Sequence, residues 1–157
     1  WAIWLLDFVT KSWALNSLDA RNPVKLLGNF LQLTLFKNSG AAFSLAQGAT
    51  IIFTFFAISV VAVIAYYSIK ITSFGWSIVL GLALGGILGN LSDRIFRAPG
   101  FFTGHVIDWI QIPNWPVFNL ADSAIVVATA IAVVLSIKNI SPIEPANVEK
   151  KDHSEEA

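Results

Sequence analysis

The chain has 157 residues, the length of a single domain, but 55% of them are hydrophobic and the mean hydropathy is +0.68, which favours a membrane protein over a soluble one. Ten basic residues balance ten acidic ones, so charge does not predict nucleic-acid binding. The sequence has no cysteine and two histidines, which excludes disulfides, thiol nucleophiles and thiolate metal sites and argues against a histidine-rich metal centre. Any catalysis would therefore use carboxylates, hydroxyls or lysine.

The first segment, residues 1–18, is apolar, and we interpret it as the remainder of a first membrane-spanning helix whose natural start is missing. Asp7 and Lys11 are four residues apart and therefore lie on one helical face, where they can pair. Because charged side chains within a membrane face protein or water, we expect a structural ion pair that fixes this helix to its neighbours.

Residues 19–37 open with a polar run and then alternate apolar and polar side chains from Phe30 to Phe36, which predicts a small strand unit outside the membrane. Its apolar face has two interpretations: it could receive an acyl chain or an extended peptide, or it could pack on the helix ends. The small residues after Asn38 then predict a turn in which Gly40 permits close backbone approach.

Three further helices are predicted, at residues 50–69, from residue 76 onward, and at 117–137. Glycines at positions 81, 85 and 89 recur on one face of the third helix, which favours close helix packing. Residues 1–140 therefore form the membrane domain, and residues 141–157 are expected to be a disordered polar tail. Four spans in hairpin order would bring the strand unit and the later aspartates to one membrane face, with Lys70 and the tail on the other.

Residues 104–123 carry Asp108 and Asp122 into surroundings that are otherwise apolar or amide. Neither aspartate has a basic neighbour in sequence apart from His105, whereas Asp93 is followed by arginines that can keep it ionised. Two close carboxylates without a cation share one proton, which leaves one as acid and the other as base. The alternative for Asp122 is structural: Asn119 would be the N-cap of the fourth helix and Asp122 its third residue, as in a capping box.

A set of ordered motifs resembles the bacterial lipoprotein signal peptidases, also called signal peptidase II. The motifs are Asp7-x-x-x-Lys11, Asn38-x-Gly40-Ala-Ala-Phe-Ser, Gly85-Gly-x-x-Gly89-Asn90-Leu-x-Asp93-Arg94, Val106-x-Asp108 and Phe118-Asn119-x-Ala121-Asp122-Ser123. The resemblance covers nearly the whole chain except the tail. It implies an all-α integral membrane protein of the bacterial cytoplasmic membrane, with four transmembrane helices, a small extracytoplasmic β unit and an active site facing the outer side.

The resemblance also implies the residue roles. The catalytic pair would be Asp108 and Asp122. The positions that line or support the substrate site would be Asn38, Gly40, Asn90, Arg94 and Asn119, and those that support its architecture would be Asp7, Lys11 and Asp93. The implied substrates are prolipoproteins carrying a diacylglyceryl group, the implied inhibitor is the peptide globomycin, and neither a cofactor nor a metal is expected.

Two points remain open at the level of sequence. The segment between Arg94 and Asp108 is longer than is usual in the family, which leaves the shape of the loop at residues 98–103 undetermined. The rival interpretation from another functional class is a small proton- or cation-coupled transporter or channel subunit, in which carboxylates would lie near the middle of the membrane and line a path through it.

Overall fold

A computed structural model describes residues 1–40 and 49–143, and we number its helices and strands in chain order. The elements are α1 (Ala2–Ser17), β1 (Val24–Leu27), β2 (Leu31–Asn38), α2 (Ala49–Ser68), α3 (Phe74–Phe96), β3 (Val106–Gln111) and α4 (Leu120–Ile137). Residues 41–44, which belong to the predicted small-residue turn, and residues 144–157 of the predicted tail lie outside the described part.

Three of the described helices are long and apolar enough to cross a membrane: Thr50–Ser68, Phe74–Phe96 and Leu120–Ile137. The predicted bounds of the second and third helices agree closely with α2 and α3, whereas α4 begins at Leu120 rather than at residue 117. Helix α1 has 16 residues and is not among the three spans, so the fourth span remains a prediction.

The predicted strand unit is confirmed as β1 and β2, which form an antiparallel pair. A third strand, β3, was missed, because residues 106–111 were interpreted only as a connecting segment. It pairs antiparallel with β2, where Asn38 lies opposite Val106 and Phe36 opposite Asp108, so the sheet order among the described residues is β1-β2-β3. The sheet therefore places Asp108 in a fixed position beside the end of β2.

Glycines on α3 allow the helices to approach closely, as predicted for two of the three repeated positions. A Cβ atom at Gly85 would lie 2.8 Å from the Cβ of Ile3, and one at Gly89 would lie 2.5 Å from Asp7 Oδ2, so both glycines contact α1. The expectation is wrong for Gly81, where a Cβ would meet no atom within 4 Å. Gly86, outside the predicted repeat, contacts Ala121 of α4 instead.

The two ends of the helical bundle carry different contacts. At one end, Trp76 Nε1 donates to the carbonyl of Ile140, and the backbone N–H of Ser73 donates to the carbonyl of Pro142, so the segment after α4 lies against the start of α3. The sheet lies at the other end, beside the last turn of α3 and the first turn of α4. The predicted separation of the Lys70 loop from the aspartates is therefore present.

Candidate active site

Asp108 projects from β3 and is only 1% exposed. Two side-chain amides bind its carboxylate: Asn38 Nδ2 donates to Oδ2 at 2.9 Å, and Asn119 Nδ2 donates to Oδ1 at 2.6 Å. Burial raises the pKa of Asp108 from 3.8 to about 6; the charge of Asp122 acts in the same direction, and the two amides oppose it. Asp108 is thus held by neutral donors at a pKa from which it can exchange a proton near neutral pH.

Asp122 is the third residue of α4, and the local spacing explains how it is held. Asn119 is the N-cap: its Oδ1 accepts from the Asp122 N–H at 2.9 Å, while Asp122 Oδ2 accepts from the Asn119 N–H at 3.2 Å. The capping box considered as the structural alternative is therefore confirmed. The other oxygen, Oδ1, accepts from Asn90 Nδ2 at 2.8 Å, so Asp122 has a contact beyond its own helix.

Asn119 joins Asp108 and Asp122, which we call the aspartate pair. Its side chain is fully buried, and it contacts Asp108 through Nδ2 and Asp122 through the cap. The same Nδ2 also donates to Asn90 Oδ1 at 3.1 Å, and Asn90 binds Asp122. The structure therefore brings five of the predicted site residues into one hydrogen-bonded network: Asn38, Asn90, Asp108, Asn119 and Asp122.

A separate group of charges lies beside this network, and we call Asp7, Lys11, Asp93 and Arg97 the ion cluster. Lys11 Nζ lies 2.7 Å from Asp7 Oδ2 and 2.9 Å from Asp93 Oδ2, so the predicted pair between Asp7 and Lys11 is present. Arg97, four residues after Asp93, pairs with the other oxygen of that carboxylate. Asp7 and Lys11 are fully buried and Asp93 nearly so, which is tolerable only because the charges are paired.

The ion cluster also holds the backbone on which the aspartate pair stands. Asp93 Oδ2 accepts from the N–H of Ile107 at 3.2 Å, and Asp7 Oδ1 accepts from the N–H of Ala121 at 3.0 Å. Ile107 and Ala121 are the residues immediately before Asp108 and Asp122. Asp93 and Asp7 therefore each bind the backbone N–H of the residue directly before one of the two aspartates of the pair.

Lys11 links the two groups through Asn90. Its Nζ donates to Asn90 Oδ1 at 2.9 Å, which leaves the Nδ2 of the same amide to donate to Asp122. The amide therefore has a fixed orientation, since its oxygen faces the ammonium and its nitrogen faces the carboxylate. Lys11 itself makes its ion pairs with Asp7 and Asp93 rather than with the aspartate pair.

Gly40 and Arg94 occupy the side of the site next to α2. Gly40 has φ +83°, and its N–H donates to Asn38 Oδ1 at 2.8 Å, so the turn orients the amide that binds Asp108. A Cβ atom at Gly40 would lie 2.9 Å from the ring of Phe53 and 3.3 Å from Arg94 Nη2. The guanidinium of Arg94 lies 5.9 Å from the centroid of that ring. A side chain larger than glycine would therefore displace Arg94 or Phe53.

Arg94 differs from the other buried basic groups of the site. Among the residues that the structure describes it makes no ion pair, and its Nη1 is buried without a hydrogen-bond partner. A buried donor without an acceptor is costly, which suits a group that binds a ligand. The arginine that forms the ion pair with Asp93 is Arg97.

Three residues that shape the site were not predicted. Thr50 Oγ1 donates to the carbonyl of Ser39 at 2.6 Å, and the fully buried Thr54 donates to the carbonyl of Phe102 at 2.9 Å, so α2 holds both the turn after β2 and the loop after α3. Gly104 lies against the end of α3, where a Cβ would collide with the carbonyl of Asp93. Hydroxyl residues in an otherwise apolar span were the signal available in the sequence.

The arrangement has the features of an acid–base site rather than of a conduction path. Two carboxylates are held by amide donors at the sheet end of the bundle, and Asp122 lies in the first turn of α4. Within residues 1–40 and 49–143, no group of three or more histidine, aspartate or glutamate residues is placed to hold a metal ion. The geometry suits activation of a water molecule by carboxylates.

Comparisons with known proteins agree with this arrangement. The family model described as signal peptidase (SPase) II matches residues 1–138. Lipoprotein signal peptidases of Streptomyces coelicolor and Streptomyces griseus are 46% and 47% identical over 139 residues, which is 88% of this chain and 68% and 71% of theirs. That of Mycobacterium tuberculosis is 46% identical over 132 residues, covering 84% of this chain and 65% of its own.

The fold is similar to that of two solved structures of bacterial membrane enzymes, obtained by the in meso method at 1.9 and 2.3 Å resolution. The first has a TM-score of 0.78 and 25% identity over 87% of this chain and 88% of its own. The second has a TM-score of 0.76 and 25% identity over 94% of this chain and 90% of its own.

Proposed function

The chain belongs to the signal peptidase II family of membrane peptidases, and we propose that it cleaves diacylglyceryl-modified prolipoproteins on the N-terminal side of the lipidated cysteine. The family membership makes it an enzyme, which removes the transporter interpretation. One observation carries the proposed aspartic mechanism: the buried side chain of Asn119 contacts both Asp108 and Asp122, so the two carboxylates belong to one site.

In this mechanism a water molecule bound between the aspartate pair attacks the scissile carbonyl carbon. One carboxylate takes a proton from the water while the other, protonated, donates to the carbonyl oxygen. The tetrahedral intermediate then collapses: the C–N bond breaks, and the leaving nitrogen receives a proton from the pair. The products are a signal peptide with a new carboxylate and a lipoprotein whose lipidated cysteine has a free amine.

The raised pKa of Asp108 supports this exchange of roles. Near pH 6 Asp108 is populated in both protonation states, so a single proton can be held between two carboxylates that form no ion pair with a cation among the described residues. Neutral amides from Asn38, Asn90 and Asn119 orient the carboxylates without fixing their charge. These contacts are what we expect of a proton-sharing pair.

Arg94 and Gly40 are proposed to bind the peptide backbone of the substrate. The unpartnered Nη1 of Arg94 can donate to a peptide carbonyl, and Gly40, which has no side chain, lets Phe53 and the guanidinium of Arg94 lie directly against the turn. Asn38, Asn90 and Asn119 would complete the substrate site, while Asp7, Lys11 and Asp93 keep its framework in position.

The strand unit and the membrane complete the proposal. Leu26, Leu27 and Phe30 are between 53% and 67% exposed, so the sheet offers an apolar surface to an acyl chain or to the lipid boundary. We place the protein in the bacterial cytoplasmic membrane, as a multi-pass protein with four spans including α1, and its active site on the outer side. Globomycin is the expected inhibitor.

The test is an assay with purified protein on one diacylglyceryl-modified precursor peptide, with and without globomycin, and on the same peptide without the lipid. We expect cleavage only of the lipidated peptide and inhibition by globomycin. Cleavage that does not depend on the lipid would contradict the proposed substrate. Cleavage that survives both Asp108→Asn and Asp122→Asn would contradict the proposed mechanism while leaving the family assignment intact.

A further inference from the structure

A cavity of about 330 Å³ lies near the ends of α1 and α3 and beside the sheet, outside the network that joins the aspartate pair. Its walls combine basic and apolar side chains. The basic ones are Lys37, Arg97 and His105, and the apolar ones include Leu15, Phe96 and Ile107. The proposed peptidase mechanism uses none of these side chains directly.

The strand pairing places this cavity on the face of the sheet opposite the active site. Asn38 points to the aspartate pair, as its bond to Asp108 shows. Successive side chains of a strand point to opposite faces, so Lys37 points away from that pair. Ile107, the cross-strand partner of Lys37, precedes Asp108 and also lines the cavity. One pair of strands thus supplies one wall to each of two sites.

The cavity carries positive charge that the described residues do not neutralise. The charge of Arg97 is balanced within the ion cluster, where two cations face two carboxylates, but its Nη2 is buried without a hydrogen-bond partner, and the uncompensated charge of the cavity comes from Lys37. In the described part of the chain, the side chains of Lys37 and His105 make neither an ion pair nor a hydrogen bond. An anionic group with several oxygen acceptors would satisfy these donors, since charge-assisted hydrogen bonds are the stronger kind.

The apolar part of the cavity identifies which anion fits. Phe96 is 80% exposed at the end of α3, so the cavity borders the surface from which a lipid would approach. Basic pockets next to membrane helices bind anionic lipid headgroups, with the acyl chains following the apolar surface. We propose that this cavity binds the phosphate of an anionic phospholipid such as phosphatidylglycerol. A zwitterionic headgroup fits less well because it brings a cation of its own into a positively charged site.

Native mass spectrometry of the full chain, titrated with phosphatidylglycerol, phosphatidylcholine or inorganic phosphate, tests this proposal. The variant Lys37→Gln/His105→Gln removes two basic groups of the cavity and leaves Arg97 and the ion cluster intact. Its matched control is Arg21→Gln/Lys25→Gln, which removes two exposed basic groups from the same region outside the cavity. Lipid binding is read directly, so the result does not depend on peptidase activity.

We expect the parent chain to prefer phosphatidylglycerol over phosphatidylcholine, and the cavity variant to lose at least about fivefold in phosphatidylglycerol affinity, which is the loss expected from the charge of Lys37. The control should bind like the parent. Should the double variant not fold, Lys37→Glu at the exposed strand position replaces it and should weaken binding further, through repulsion.

Three results would overturn the proposal. They are equal phosphatidylglycerol binding by parent and cavity variant, an equal loss in the Arg21/Lys25 control, and binding of free inorganic phosphate as tight as that of the lipid. The second would mean that surface charge alone attracts the lipid, and the third that the site takes a soluble anion.

Discussion

The aspartate pair and the ion cluster present the same side chain in two different settings. Asp108 and Asp122 accept hydrogen bonds from asparagine amides and backbone N–H groups. Asp7 and Asp93 are instead paired with Lys11 and Arg97. A neighbouring cation favours the ionised form of a carboxylate, whereas neutral donors orient a carboxylate without adding a charge. The type of partner therefore separates the proposed chemical role from the structural one.

The two groups are nevertheless built as one unit. Asn90 accepts from Lys11 and donates to Asp122, and the carboxylates of the ion cluster hold the N–H groups of Ile107 and Ala121. The positions of the two carboxylates of the aspartate pair thus depend on the ion pairs of the ion cluster, as preorganisation of an active site requires. Changes in the aspartate pair should lower turnover, and changes in the ion cluster should lower folding stability.

The largest effect is expected from Asp108→Asn and Asp122→Asn. Each replaces an acid–base group by an amide of the same shape, so turnover of a lipidated precursor should fall by about a thousandfold or more while the protein stays folded. Cleavage by the purified variants measures this, and Asp19→Asn, in the exposed loop before β1, is the control that should remain active. Near-normal turnover in either variant would remove the aspartate pair as the catalytic group.

Lys11→Met should give the opposite result, a loss of folding stability. The change leaves Asp7 buried without its cation and deprives Asp93 of one of its two, and breaking a buried ion pair costs about 3–5 kcal/mol. Unfolding in detergent measures the difference, with Lys25→Met at an exposed strand position as the control. A variant as stable as that control would show that the ion cluster does not support the fold.

The pKa of Asp108 makes a prediction about stability against pH. Above about pH 6 the buried carboxylate is ionised in both folded and unfolded chains, and the folded state bears the full penalty of burial. Between pH 6 and 3.8 the folded state holds a proton that the unfolded state has lost, so the penalty disappears as the pH falls. Relative to Asp108→Asn, the parent chain should therefore gain about 2 kcal/mol on acidification from pH 7 to pH 4.

Unfolding of the parent and of Asp108→Asn at several pH values measures that difference. The change with pH is the quantity to compare, because the asparagine also removes one acceptor from the amides of Asn38 and Asn119 and shifts both ends of the curve. Asp122→Asn, measured in the same way, shows how much of the change belongs to the coupled pair. A constant difference across this range would contradict a raised pKa at Asp108.

The sequence predicted those parts of this arrangement that depend on local spacing. The pairing of Asp7 with Lys11 and the capping box of Asn119 and Asp122 follow from separations of four and three residues, and both are present. Helices α2 and α3 follow from long apolar runs. The roles of Asp108 and Asp122 in catalysis came from the family resemblance and from their lack of a basic neighbour, and they remain predictions.

What was missed depends on contacts between distant parts of the chain. Strand β3 is six residues long and pairs with β2 across a separation of about 70 residues, which leaves no local pattern to detect. The open space beside Gly81 could not be distinguished from the close packing at Gly85 and Gly89, because a repeat of glycines does not tell which neighbour covers each one. The cation expected beside Asp93 is, by contrast, a local contact and is present: it is Arg97, one helical turn further along the same face.

The smallest of these effects is expected from Arg94→Ala. This variant tests whether a charged residue outside both groups binds the substrate. Arg94 belongs to neither group: in the described part of the chain it makes no ion pair, and its Nη1 lacks an acceptor. If this N–H binds a peptide carbonyl of the substrate, its loss should raise KM by about tenfold with little effect on kcat or on stability, since a hydrogen bond to a charged group contributes about 1.5–3 kcal/mol. Steady-state cleavage of the lipidated peptide measures this, with Arg21→Ala as the exposed control and Arg94→Lys as a partial rescue. An unchanged KM would leave Arg94 without a role in binding, and a large loss of stability would assign it to the framework with the ion cluster.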